Sequence, residues 1–221
     1  MTKFSITVIL DTICPWCYIG YRRLQAAIAE HQAQQPNDSF AIKLQPFQLN
    51  PKAAKGQSSD KLASYEDKYG REQTQQIFRR VRSAAEGNGI NFSFAGRIGN
   101  TLDSHRLLQL AQQHEKTSVA TALIDEVFAD YFEREQDITS HAILAQAAAR
   151  AGMNEREVLD FLASDELVKE VEQQVRDNRD EDINGVPLFV LNDTFTVEGA
   201  QEPAAFLTLF ARLKKREAAI L

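Results

Sequence analysis

Two short stretches near the N-terminus have the hydrophobic pattern of β-strands. Residues 4–10 (FSITVIL) are rich in Ile, Val and Thr, which is typical of a buried strand. Residues 40–47 alternate apolar and polar side chains, which predicts a second strand. Between them the apolar residues recur with helical spacing. A strand, a helix ending near Glu30 and a second strand are therefore predicted to open the chain.

The middle of the chain has an almost wholly helical pattern, from about Lys61 to Arg179. Asn154 resembles the first residue of a capping box, and Ser164 is a candidate cap for a long last helix. No repeat or low-complexity linker interrupts this block. The spacing predicts one or two helices over residues 62–86, further helices at 104–113, 119–132 and 140–151, one opening at 154, and the last reaching about residue 179.

Strands return near the C-terminus. Residues 188–191 and 195–197 form a predicted hairpin around an Asn-Asp turn, and residues 204–216 form an amphipathic helix. The opening strand–helix–strand unit requires a parallel strand pair. This order is the thioredoxin arrangement, so we predict an α/β protein with a thioredoxin fold and a large all-helical insertion domain. The predicted thioredoxin-like domain comprises 1–50 and 166–221, and the insertion domain comprises 51–165.

The composition of the 221-residue chain is that of an ordinary globular protein, with 43% hydrophobic and 25% charged residues. A net charge of −6 argues against nucleic acid or an anionic membrane as the main partner. No apolar run approaches the roughly 20 residues that span a bilayer. The chain begins with Met1 and lacks the pattern of a signal peptide, so a cytoplasmic location is expected.

The chain's two cysteines, Cys14 and Cys17, lie together in the stretch DTICPWCYIG at 11–20. Pro15 suits the first turn of a helix, so Cys14 is expected beside the unpaired N–H groups at a helix start. That position favours the thiolate, which is the attacking species in disulfide exchange, and should lower the pKa of Cys14 below its usual ~8.5. A carboxylate at Asp11 would oppose this effect. Cys17, one turn further on, could then resolve a mixed disulfide.

The cysteine pair has two other interpretations. The cysteines could be small buried core residues, but a strand-to-helix junction is expected to leave the sulfur exposed. A zinc site would need two more ligands. No metal site is predicted, because the histidines are scattered along the chain, at His31, His105, His114 and His141.

Pro187 is the second informative residue. A proline after Gly185-Val186 at the start of a strand is compatible with an ordinary trans loop. In a thioredoxin-like fold this proline is cis and packs against the cysteine pair. The Val186 backbone would then be free to hydrogen-bond an extended substrate beside the sulfur.

The sequence resembles the DsbA superfamily of thioredoxin-like proteins, and within it the FrnE-like branch. The resemblance spans essentially the whole chain, and four segments carry it: DTICPWCYIG at 11–20, NTLDSHRL at 100–107, GVPLFV at 185–190 and VEGAQ at 197–201. It implies a thiol–disulfide oxidoreductase in which Cys14 is the exposed nucleophile, Cys17 the resolving cysteine and Pro187 the cis-proline. Pro15 and Trp16, between the cysteines, are expected to contact substrate and to set the redox poise.

Related branches of the same superfamily handle glutathione. The sequence is similar in fold and insertion to kappa-class glutathione transferases and 2-hydroxychromene-2-carboxylate isomerases, which typically carry Ser in place of the first cysteine. No cofactor is implied, but glutathione is a candidate co-substrate. The resemblance suggests that the Val186 backbone and the segment Gly199-Ala200-Gln201 bind an extended peptide and its carboxylate.

The favoured hypothesis is therefore a cytoplasmic enzyme that reduces, forms or isomerises disulfides in protein or peptide substrates, with the insertion selecting the substrate. A reducing compartment favours reduction or isomerisation over oxidation. A glutathione-dependent isomerase or transferase acting on small molecules is the alternative, and a redox-sensing binding module is a third. A homodimer is compatible with the sequence. His105 is interpreted as a hydrogen-bonded helix-entry histidine, and Phe92 and Phe94 as core or lid residues.

Overall fold

A computed structural model describes residues 1–113, 117–180, 183 and 185–220. The strands are β1 Lys3–Leu10, β2 Ser39–Pro46, β3 Ser58–Asp60, β4 Arg97–Gly99, β5 Leu188–Leu191 and β6 Phe195–Glu198. The helices are α1 Pro15–Gln34, α2 Lys61–Tyr69, α3 Arg71–Ala85, α4 Leu102–Gln113, α5 Thr117–Phe132, α6 His141–Arg150, α7 Glu155–Leu162, α8 Val168–Asp180 and α9 Pro203–Ile220. Among the described helices, none is long and apolar enough to cross a membrane.

A four-stranded mixed sheet forms the thioredoxin part, with the strand order β2-β1-β5-β6. β1 pairs in parallel with β2, so that Phe4 lies opposite Phe40. On its other side β1 pairs antiparallel with β5, and β5 pairs antiparallel with β6. The predicted strand–helix–strand opening, closing hairpin and α/β thioredoxin fold are confirmed.

The chain between β2 and β5 holds helices α2 to α8, as the helical pattern predicts, with two differences in detail. Residues 62–86 form two helices, one of the two predicted outcomes, and Gly70 adopts a φ of 78° between α2 and α3. The long helix predicted from Ser164 begins only at Val168. The insertion also contains a short antiparallel ladder between β3 and β4. Strands of three residues are too short to give a readable alternation of apolar and polar positions.

The hydrophobic core is continuous between the sheet and the insertion. Helices α1 and α9 pack together over the β1 side chain Phe4, whose ring contacts Phe40 and Phe210. Helices α4 and α8 contact β2. The boundaries of the two predicted domains, 1–50 with 166–221 and 51–165, stay a prediction.

Candidate active site

Cys14 caps the N-terminus of α1. Strand β1 ends at Leu10, and the Cys14 N–H donates to the Asp11 carbonyl at 3.1 Å, which closes a tight turn. The Cys14 carbonyl accepts the first helical hydrogen bonds, from Cys17 at 3.0 Å and Tyr18 at 3.3 Å. Pro15 follows as the first helical residue, where a missing N–H leaves no bond unmade. The sulfur of Cys14 thus lies at the positive end of the helix dipole.

Both cysteines are free and buried, Cys14 at 4% exposure and Cys17 at 0%. This differs from the expectation of an exposed Cys14. The physical reason is that the segment before β5 folds over the helix start, and the Cys14 thiol donates to the Val186 carbonyl at 3.6 Å. The Val186 carbonyl, expected to be free for substrate, is engaged by the nucleophile itself.

The environment of Cys17 favours the protonated thiol. Burial raises the pKa of the Cys17 thiol well above its usual value, and the hydrogen bond and negative charge of Cys14 raise it further. A thiol that holds its proton is a poor first nucleophile. The two sulfurs are therefore unequal, and Cys14 is the one suited to attack first.

The Val186–Pro187 peptide bond is cis, as the resemblance implies. Pro187 is buried, and its carbonyl accepts the Gly199 N–H at 2.9 Å. A Cβ atom at Gly20 would lie 2.9 Å from Pro187 Cγ and 3.1 Å from Phe189 Cζ. The absence of a side chain at Gly20 is what lets α1 approach Pro187 this closely.

The segment Gly199-Ala200-Gln201 lies beside Pro187 but just before α9 rather than in its first turn. The Ala200 carbonyl accepts from Arg23 Nη1 at 2.7 Å, and the Gln201 side chain donates to Glu198 O at 2.9 Å. These groups already have partners within the chain. A role for the segment in binding a substrate carboxylate stays a prediction.

The family model of the DsbA-like thioredoxin domain matches residues 5–211. The chain belongs to this family. No curated protein sequence matches it significantly.

Solved structures of DsbA-like proteins share the fold. A probable DsbA oxidoreductase from Streptomyces coelicolor is 28% identical with a TM-score of 0.82, over 95% of this chain and 89% of that one. A 2-hydroxychromene-2-carboxylate isomerase is 13% identical with a TM-score of 0.66, over 98% and 99%. The cytosolic disulfide reductase DsbM from Pseudomonas aeruginosa, solved with glutathione, is 13% identical with a TM-score of 0.64, over 96% and 99%. The last two show likeness of fold alone.

In this DsbA-like chain, Trp16 is half-buried between the two cysteines and packs against the core. Phe92 and Phe94 are core residues, as interpreted from the sequence, and the Phe94 ring stacks on Phe78 with centroids 3.8 Å apart. Among the described residues, which leave out His114, no group of three or more His, Cys, Asp or Glu side chains is arranged to hold a metal ion.

A buried Asp–His pair lies behind the cysteines. Asp11 is fully buried, and its carboxylate accepts the Leu49 N–H at 2.7 Å. His105 Nε2 lies 3.3 Å from Asp11 Oδ1 and 3.0 Å from the Phe47 carbonyl. A carbonyl only accepts, so Nε2 carries the proton and donates. His105 is thus a satisfied histidine, as interpreted from the sequence, but its pairing with Asp11 has no local sequence signal.

The segment 100–107 joins the insertion to the cysteine loop. The Ser104 hydroxyl lies 2.8 Å from the Thr12 hydroxyl, next to the cysteine motif. Asn100 Oδ1 accepts the Leu102 N–H at 2.8 Å and so stabilises the start of α4. Arg106 is buried at 2% exposure and donates to backbone carbonyls of the α7–α8 turn, including Ser164 and Glu166. The resemblance in this segment therefore reflects structural support for the site.

Sequence reasoning missed a cavity of about 390 Å³ that opens beside Ile13. Its walls come from the loop after β2, from α2 and from β4. Tyr65 and Tyr69, four residues apart on α2, both line it. That spacing places them on one helix face, but nothing local indicates that the face meets Ile13.

Proposed function

We propose that this protein is a thiol–disulfide oxidoreductase of the DsbA/FrnE type, in which Cys14 and Cys17 form a redox pair. The contrast between the two sulfurs carries the proposal. Cys14 caps α1 and its thiol reaches the Val186 carbonyl, whereas Cys17 is fully buried with a raised pKa. This is the asymmetry that a nucleophile and a resolving thiol require.

In the first step the Cys14 thiolate attacks one sulfur of a substrate disulfide. A Cys14–substrate disulfide forms, the substrate S–S bond breaks, and the other substrate sulfur leaves as a thiolate. The dipole of α1 stabilises the attacking charge. Because the Cys14 thiol donates to Val186 O, its deprotonation releases that carbonyl to accept an N–H of the substrate backbone.

In the second step Cys17 attacks the Cys14 sulfur and the mixed disulfide breaks. Cys17 must give up its proton at that moment, and it is fully buried. The substrate thiolate that leaves Cys14 takes up this proton, so the step balances without a further group. The products are a Cys14–Cys17 disulfide and a reduced substrate, and the reverse sequence would oxidise a dithiol.

The partners proposed are disulfide-containing proteins or peptides, with Trp16, Val186 and Pro187 contacting the substrate. Glutathione is proposed as the co-substrate that returns the pair to the dithiol form, and the cytoplasm as the compartment. The glutathione-bound structure of DsbM, a cytosolic disulfide reductase of similar fold, supports this choice.

The test is equilibration with reduced and oxidised glutathione, followed by an alkylating quench and mass measurement. We expect the dithiol and an internal disulfide to interconvert with little adduct, and Cys17→Ser to accumulate a glutathione adduct on Cys14. A persistent adduct on wild-type Cys14 without any internal disulfide would overturn the redox pair. It would favour a glutathione-dependent isomerase or transferase, the second candidate, whose fold the 2-hydroxychromene-2-carboxylate isomerase shares.

A further inference from the structure

The cavity beside Ile13 lies next to the cysteine loop. Ile13 lines it and directly precedes Cys14 in the chain. Tyr65 on α2 also lines the cavity. Burial raises the pKa of the Tyr65 phenol above its usual value, and negative charge on Cys14 acts in the same direction.

Apolar residues make up half of the cavity lining, and most of the rest are uncharged polar residues. Leu49 is 46% exposed and Tyr69 is 37% exposed, unusually open positions for large hydrophobic residues in a chain whose other apolar side chains are mostly buried. Ile13 and Ile98 line it further in. An open apolar lining of this kind is typical of a site that binds an apolar partner.

The charges of the cavity argue against a highly charged occupant. Among the described residues that line it, Lys68 is the one charged side chain, and no carboxylate is present. Glutathione carries two carboxylates and an ammonium group, so most of its charges would lack a partner here. An apolar side chain needs no such partners and gains from leaving water.

We propose that this cavity is the specificity pocket for a large apolar side chain that flanks the reacting cysteine of a peptide or protein disulfide. The inference rests on the proposed function, since it concerns the substrate of the same cysteine pair. The substrate cysteine meets Cys14 while its neighbouring side chain enters between Ile13 and Tyr65. The insertion, which supplies most of the walls, thereby selects the substrate.

The experiment compares two disulfide-bonded peptides of equal length and charge, one with Leu and one with Ser on each side of the cysteine. We expect wild-type kcat/KM to be about tenfold higher for the Leu peptide, as differences in apolar burial typically allow. Equal values for the two peptides would overturn the pocket. They would leave the redox pair intact as long as both peptides are reduced.

Two surface residues of equal exposure provide a matched pair of variants. Leu49, at 46% exposure, lines the cavity, whereas Leu62, at 45%, lies on α2 outside it. Leu49→Ser should lose most of the preference for the Leu peptide while keeping the rate with the Ser peptide. Leu62→Ser should behave as wild type. Equal effects of the two variants, or none from Leu49→Ser, would contradict the assignment.

A second variant, which fills the cavity, distinguishes loss of the pocket from a general folding defect. Ala54 is an exposed loop residue in the lining, so Ala54→Phe adds bulk there without disturbing the core. We expect it to lower kcat/KM for the Leu peptide about tenfold and to leave the Ser peptide and oxidised glutathione unaffected. A selective loss with oxidised glutathione instead would assign the cavity to that ligand and overturn the proposal.

Discussion

Asp38 illustrates how much of the stability depends on single buried side chains. It lies just before β2, and its carboxylate accepts the Thr2 N–H at 2.8 Å and lies 3.0 Å from His31 Nε2 and 2.5 Å from Lys214 Nζ. Burial alone would raise the pKa of Asp38. The hydrogen bonds from Lys214, Thr2 and His31 outweigh burial and bring that pKa well below its usual range.

Asp38→Asn should therefore destabilise the protein in a pH-dependent way. A carboxyl group with a lowered pKa stabilises the fold above its unfolded pKa of ~3.9 and loses that contribution as the pH falls toward the folded pKa. We expect a loss of about 2 kcal/mol at pH 7 that shrinks below pH 4, measured by urea denaturation. Asp160→Asn, at an exposed position on α7, is the control. A deficit independent of pH would refute this role.

The residues that the sequence could identify are those with a local pattern. Cys14, Cys17 and Pro187 sit in short motifs whose spacing or context indicates their chemistry. Asp11 and His105 could not be paired in this way, because 94 residues separate them and no local pattern in either segment indicates the other. Burial of Cys14 was also missed, since the group that covers it comes from residue 186.

At the scale of elements, the approach of α1 to the start of β5 defines the site. The helix start carries Cys14, and its next turn carries Gly20, which faces Pro187 and Ala200. The sequence predicted both elements, but it gave no measure of how closely they meet. The distance between α1 and the start of β5 depends on tertiary packing, and a glycine in the sequence is only weak evidence of a close approach.

Gly20→Ala should perturb this contact despite a better helix propensity. The added Cβ would lie 2.9 Å from Pro187 Cγ and 3.3 Å from Ala200 Cα, so one of them must shift. We expect a net loss of about 1–3 kcal/mol in urea denaturation and faster alkylation of Cys14. Gly185→Ala is the control, because a Cβ there meets no atom of the described residues within 4 Å. Unchanged alkylation in both variants would contradict the contact.

Arg106 of α4 hydrogen-bonds to the turn between α7 and α8, which is a second contact between elements. Its guanidinium donates to the carbonyls of Ser164 and Glu166 and to Asp103 Oδ1, at 2.7 to 2.8 Å. Arg106→Met would remove these charge-assisted hydrogen bonds, and we expect a loss of about 2–3 kcal/mol. Denaturation would measure it, with Arg156→Met on the exposed face of α7 as the comparison. A loss below about 1 kcal/mol for Arg106→Met would show that water replaces these bonds.

At the scale of the whole molecule, the insertion and the sheet share one core. Tyr18 of α1 stacks on Phe128 of α5 with ring centroids 4.9 Å apart. The Gln112 side chain of α4 pairs with both backbone groups of Leu44 in β2, at 2.7 and 3.0 Å. The pattern of elements predicted a thioredoxin fold with a helical insertion, but these contacts between distant segments could not be predicted from the sequence.

A shared core predicts that the two parts unfold together. The single tryptophan, Trp16, reports on the cysteine end of α1, whereas far-UV circular dichroism reports mostly on the helices of the insertion. We expect both signals to give the same urea midpoint and slope. Separate midpoints would indicate that the insertion and the sheet are independent units.

The topology of the sheet also has a consequence for the protein while it is being made. β1 and β2 are synthesised early and can pair at once, but β5, the other neighbour of β1, follows only after the whole helical insertion. Until then the growing chain presents an open strand edge, and Cys14 lacks the Val186 carbonyl that covers it. The nascent chain on the ribosome therefore carries a more exposed thiol than the finished protein.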